Sequence, residues 1–179
     1  MTTRPPCILG IAVSDKRLGY CVLEPQGFLL DWGVKDFPNR KIKTIEKLLA
    51  HLFIFYRPKL LILEDVAHKT CRLSNQNTQM IKKIEKLATI RLIIVQALSW
   101  SETKVHLCSN KAPNSVNAAK AVGSTYPVLR DRMPPARKTW QGEHRNMVLL
   151  KASAFVSIST RLRLVYCEDI RNHIKTFCL

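Results

Sequence analysis

Residues 7–24 read Cys7-Ile8-Leu9-Gly10-Ile11-Ala12-Val13-Ser14-Asp15-Lys16-Arg17-Leu18-Gly19-Tyr20-Cys21-Val22-Leu23-Glu24. Residues 7–14 form an apolar run closed by Ser14, the signature of a strand covered on both faces. Asp15, Lys16 and Arg17 form a polar turn, and residues 19–24 predict a second strand. Pro25, Gln26 and Gly27 supply another turn before a third strand over 28–34. Strands joined by turns this short form an antiparallel meander.

Beyond the meander the period changes. Ile42, Ile45, Leu48, Leu49, Leu52 and Phe53 recur at helical spacing, and Arg57-Pro58 ends the helix because the residue before proline disfavours the α region. Residues 60–64, Leu-Leu-Ile-Leu-Glu, predict a short buried strand closing on a carboxylate. A polar stretch over 66–77 leads to a helix expected over about 78–98, a fifth strand over 104–108 and a short helix over 114–122. A Pro-rich basic loop, 127–140, precedes a helix over about 143–159 with Met147, Leu150, Ala154 and Ile158 on one side, and the last twenty residues read as helical again. The order β-β-β-α-β-α-β-α-α predicts an α/β domain on a five-stranded mixed sheet, with strand 7–14 central and beside strand 60–64.

The chain has 179 residues, enough for one domain that buries roughly 70% of the surface exposed by its unfolded chain. Its 29 Lys and Arg against 13 Asp and Glu give a net charge of +16, which repels itself in a compact fold and is relieved by a polyanion such as nucleic acid. The six cysteines form no Cys-x-x-Cys pair and no finger spacing with His, so they read as buried free thiols of a reducing compartment. No apolar run reaches the roughly 18 residues that span a bilayer, and the short apolar stretch after the N-terminus lacks the form of a signal segment. The expectation is a cytoplasmic protein, nucleoid-associated if bacterial, without a membrane partner.

Three stretches resemble the RuvC-like Holliday-junction endonucleases of the ribonuclease-H-like superfamily. Residues 8–20 are similar to that family's opening strand and turn, Leu-Gly-Ile-Asp followed by Gly-Tyr. Pro58-Lys59-Leu60-Leu61-Ile62-Leu63-Glu64-Asp65-Val66 is similar to its strand ending in a catalytic Glu. Residues 126–143 and the helix behind them resemble its C-terminal part. The resemblance covers about residues 7–159 and leaves 160–179 as a C-terminal helical extension of a single domain.

The resemblance implies Mg²⁺ ions held between carboxylates, one ion generating a hydroxide and another steadying the leaving 3′ oxygen. Glu64 matches the acid at the end of the fourth strand; Asp65, its neighbour, points to the opposite face if the strand continues. Ala12 stands where the family has Asp, and Lys151, in Leu150-Lys151-Ala152, stands where Phe-Asp-Ala is expected. A methyl group binds no cation, and an ammonium repels Mg²⁺ but can take the metal's place by pairing with Glu64 or a phosphate. Asp15 and Glu143 remain as replacement candidates, giving Glu64, Glu143 and Asp15 as catalytic candidates and Glu64 and Glu143 as metal ligands. Asp15 is equally an ordinary turn acid, and Glu143 equally a first-turn Glu favoured by a helix dipole.

Nucleic-acid affinity needs accessible Lys and Arg. Candidates are Lys16 and Arg17 in the first turn, Lys69 and Arg72 after Glu64, and Arg130, Arg132, Arg137 and Lys138 in the loop before Trp140. Tyr126 and Trp140 near the loop ends could stack on bases. The leading reading is a nucleic-acid-binding pseudoenzyme. An active Mg²⁺-dependent endonuclease on branched DNA and a basic structural subunit of a ribonucleoprotein are the alternatives, and a homodimer is what the resemblance implies.

Overall fold

A computed structural model of the chain describes residues 6–37, 42–109, 111–135 and 144–160. The strands are β1 (Ile8–Ser14), β2 (Arg17–Leu23), β3 (Leu29–Asp36), β4 (Leu60–Glu64) and β5 (Ile94–Leu98). The helices are α1 (Ile42–Tyr56), α2 (Asn75–Ile90), α3 (Trp100–Cys108), α4 (Ser115–Thr125) and α5 over 147–160, with a 3₁₀ turn over Pro127–Arg132.

The sheet runs β3-β2-β1-β4-β5. The meander is antiparallel, with Gly10 opposite Cys21 and Tyr20 opposite Gly33. β4 joins parallel to β1, and β5 parallel to β4. The expected mixed five-stranded sheet is therefore present, with β1 central and next to β4.

The fifth strand, however, is not where the sequence placed it. Residues 104–108 are helical in α3, and the strand is formed by 94–98, inside the expected second helix. The helix–strand boundary carries neither Gly nor Pro. It is turned by Leu92 in the left-handed region at φ 57°, with Arg91 and Leu92 N–H groups returning to Ala88 and Thr89 carbonyls. Ser99 then opens α3, and Thr103, Leu107 and Cys108 are buried at helical spacing rather than on alternate positions.

Alternate residues of β1 feed two cores. Leu9, Ile11 and Val13 pack with Ile45, Leu49, Leu52, Ile81 and Ile84 of α1 and α2. Ile8 and Ala12 face the other way, into a cluster with α5 and apolar residues of α3, α4 and the 3₁₀ turn. α5 is buried almost all round, wider than the single stripe the sequence suggested, as befits a helix covered on both sides. Two glycines set its height above the sheet. A Cβ on Gly10 would stand 2.6 Å from the Ala152 carbonyl oxygen, and one on Gly19 would stand 2.6 Å from the Leu149 nitrogen. Only a residue without Cβ admits backbone so close. The extension expected over 160–179 lies, apart from Thr160, outside the described residues.

Candidate functional site

One end of the sheet gathers the C-termini of β1, β3, β4 and β5 and the β1–β2 turn. Glu64 is the last residue of β4 and only 5% exposed. Ala12 lies on the same sheet face, fully buried in the core beneath α5. Because glycines 10 and 19 seat α5 directly on this face, Lys151 projects to the strand end, and its Nζ donates to Glu64 Oε2 at 2.6 Å. The ammonium also stands 5.4 Å from the centre of the Trp100 ring, which meets Phe155 edge-on. With the lysine side chain 15% exposed, the pair is a desolvated, charge-assisted hydrogen bond reinforced by a cation–π contact.

This arrangement does not fit a divalent cation. Glu64 spends an oxygen on an ammonium, the β1 position offers a methyl, and the α5 position offers a positive charge. Among the described residues, no group of three or more His, Cys, Asp or Glu is placed to hold a metal ion.

The other acids are not gathered with Glu64. Asp15 accepts from the Asn77 amide at 3.2 Å, with the Ser74 hydroxyl at 3.5 Å. It lines a cavity of about 380 Å³ on the α1–α2 side of the sheet, so it belongs to the opposite face. Asp65 turns away to accept from the Ala67 backbone at 2.9 Å, an Asx-type cap that follows from its position just past the strand end. Glu143 lies outside the described residues.

The basic candidates are spread around the strand end and the adjoining helices. Lys16 is exposed in the β1–β2 turn. Arg17 Nε pairs with Asp36 at 3.0 Å, and Arg145, just before α5, takes the other Asp36 oxygen at 2.6 Å. One carboxylate thus orients two guanidiniums and leaves a net positive charge. Lys69 and Arg72 are exposed in the loop between β4 and α2.

That loop is tied to the start of α3. The Thr70 N–H donates to His68 Nδ1 at 3.3 Å, and His68 Nε2 lies 3.4 Å from Glu102. Thr70 and Ser99 hydroxyls each lie 2.6–2.7 Å from Ser101 Oγ. Arg130 is exposed and donates to the Gly123 carbonyl, while the Arg132 carbonyl accepts from Asn146 ahead of α5. Arg137, Lys138 and Trp140 lie outside the described residues. Tyr126 is corrected: at 7% exposure it is a core residue, not a stacking platform.

Sequence reasoning missed Trp100, Arg145 and the His68 group. Trp100 was hidden by the misplaced fifth strand, which left it between elements instead of opening a helix beside Glu64. Arg145 carried no signal beyond being one of many cations.

No protein-family model matches the chain, and no curated protein matches it by sequence. Solved structures do. Thermus thermophilus RuvC matches with a TM-score of 0.62 at 15% identity, over 88% of this chain and 96% of that one. The same protein in complex with Holliday junction substrate gives 0.61 at 14% identity, over 89% and 96%. The yeast mitochondrial Holliday junction resolvase Ydc2 gives 0.61 at 15% identity, over 98% of this chain and 87% of that one. At such identities the likeness is one of architecture, and in architecture the chain has the RuvC-type, ribonuclease-H-like fold.

Proposed function

We propose that the protein binds branched nucleic acid, a four-way DNA junction above all, through the basic strand end, and that it does not cut it. The observation that carries this reading is the Lys151–Glu64 pair at 2.6 Å, standing where a metal-dependent nuclease of this architecture would need charge to be negative and open. The binding half rests on the +16 charge, on the exposed Lys16, Lys69, Arg72, Arg130 and Arg132, and on structural neighbours that are Holliday junction resolvases, two of them in complex with junction DNA. Arg137, Lys138 and Trp140 extend the proposed surface. The spread of the cations, without a helix positioned as a base-reading element among the described residues, favours recognition of shape and phosphates over sequence.

Fluorescence anisotropy with a labelled four-way junction and a linear duplex tests this reading. Binding at low salt should be micromolar or tighter, favour the junction, and weaken steeply as salt rises through counterion release. Equal, salt-insensitive binding to both, or none to either, would remove the reading and favour a scaffold role in a ribonucleoprotein.

A further inference from the structure

The cavity of about 380 Å³ on the α1–α2 side lies on the sheet face opposite Glu64 and shares with the surface proposed above only the turn that carries Lys16 and Arg17. Its walls are apolar: Val13 and Leu18 from the sheet, Phe37, Ile45 from α1 and Met80 from α2. Its rim is not. Gln76, Asn77 and Gln79 bring three amides to one side, from the first turns of α2, and Lys16 and Lys83 bring cations to the edge. Asn77 is held in place by Asp15, and Lys83 by Glu46 at 3.3 Å, whereas Gln76 and Gln79 are exposed at the mouth.

Such a volume lies in the range of small-molecule sites. An apolar cavity edged by amides matches one class of ligand well. A nucleobase presents two π faces to apolar walls and a rim of donors and acceptors to amides, and it carries a phosphate on its sugar for a nearby ammonium. The cavity opens beside the β1–β2 turn, whose Lys16 and Arg17 belong to the basic strand end, so a strand crossing that end passes the mouth.

We infer that this cavity receives a single unstacked nucleobase, with Met80 and Phe37 against its faces, Gln76 and Gln79 on its edge and Lys16 at the adjoining phosphate. The source of the base can be a bound DNA strand, which rests on the proposed function, or a free nucleotide, which does not.

Two arms separate these sources. In the first, four-way junctions carrying 2-aminopurine at positions flanking the branch are titrated with the full chain, with Met80→Trp, which fills the slot, and with Gln79→Ala, an exposed helical change that leaves folding intact. The inference expects fluorescence at one position to rise on binding, the rise to vanish with Met80→Trp and to shrink with Gln79→Ala, and junction affinity to fall roughly ten-fold with Met80→Trp while its salt dependence persists. A junction that binds with no rise anywhere, or with the same rise in all three proteins, overturns the inference and leaves nucleic-acid binding standing. In the second arm, saturation-transfer NMR follows free nucleoside monophosphates with wild type and Met80→Trp. Transfer to base protons that disappears in Met80→Trp assigns the slot to free nucleotides even if no junction binds. Absence of transfer together with absence of junction binding overturns the inference and the proposed function together.

Discussion

The two faces of the sheet have been built to opposite ends. Beneath α5, glycines 10 and 19 bring helix backbone against strand backbone, and a buried pair of charges, Glu64 and Lys151, neutralises itself. Beneath α1 and α2, the polar groups at the same strand end, Asp15, Asn77, Gln76 and Gln79, edge an open cavity. The resemblance in sequence would put metal chemistry on the first face, at Glu64. Here that face is a packed structural element, and the binding proposed above would fall to the surface charge and to the second face. The difference teaches that two residues act together on the first face: Ala12 offers no ligand, and Lys151 supplies the positive charge that buried Glu64 needs.

If the α5 face is a locked element, breaking the pair has the largest effect. Lys151→Ala leaves Glu64 buried without compensation and should destabilise the fold by about 3–5 kcal/mol in urea unfolding. Replacing both partners with apolar residues, Glu64→Leu with Lys151→Met, should stay within about 1 kcal/mol of the parent or exceed it. A neutral Lys151→Ala would show the face to be open after all.

The next effect is conversion of that face into a metal site. Ala12→Asp with Lys151→Asp places new carboxylates beside Glu64 in a dry setting, so the variant should unfold earlier than wild type without metal. Mn²⁺ should restore stability by about 2.7 kcal/mol at a hundredfold excess over its Kd. Adding Glu64→Gln should abolish the rescue. Scanning calorimetry with and without Mn²⁺ reads both outcomes, and an unrescued double variant would mean that the strand end does not hold ligands in register.

A smaller effect concerns the binding surface. Arg130→Glu, Arg132→Glu and Arg137→Glu together should reduce junction affinity about equally for all sequences and lower the salt slope by roughly three. Unchanged affinity would take this loop out of the interface and leave the strand-end turn with Lys16 and Arg17.

The smallest effect compares the faces through their thiols. Burial pushes Cys21, under α5, up to about 12 and Cys7, on the other side, up to about 11. Both lie above the unfolded value of 9.0, so between pH 9 and these values the folded chain keeps protons that the unfolded chain has released. Their contribution to stability is complete below about pH 9 and declines as pH rises through that window. Alkylation of the native protein followed by mass spectrometry should therefore label half-buried Cys71 first, Cys7 later and Cys21 last.

Much of the fold was legible because its signals were local. The meander announced itself through apolar runs cut by short polar turns, and β4 through four apolar residues and a terminal Glu64. The fifth strand was not legible, because Leu92 takes a left-handed turn that glycine usually marks, and because Lys104-Val105-His106-Leu107-Cys108 alternates like a strand although its contacts repeat like a helix. At the site, Ala12 and Lys151, standing where the resemblance would have acids, could be read from two positions. That Lys151 meets Glu64, 87 residues away in sequence, depends on the height of α5 above the sheet, which two glycines set and no short window reveals. Trp100 beneath the ammonium and the withdrawal of Asp15 to the other face depend on packing in the same way.

Incubating a four-way junction with saturating wild-type protein in Mg²⁺ or Mn²⁺, and resolving the strands on a denaturing gel, tests the central claim most directly. The expected result is a junction that is bound and uncut. Cleavage that requires the metal and disappears in Glu64→Gln would contradict it, because Glu64 would then be serving a cation rather than Lys151.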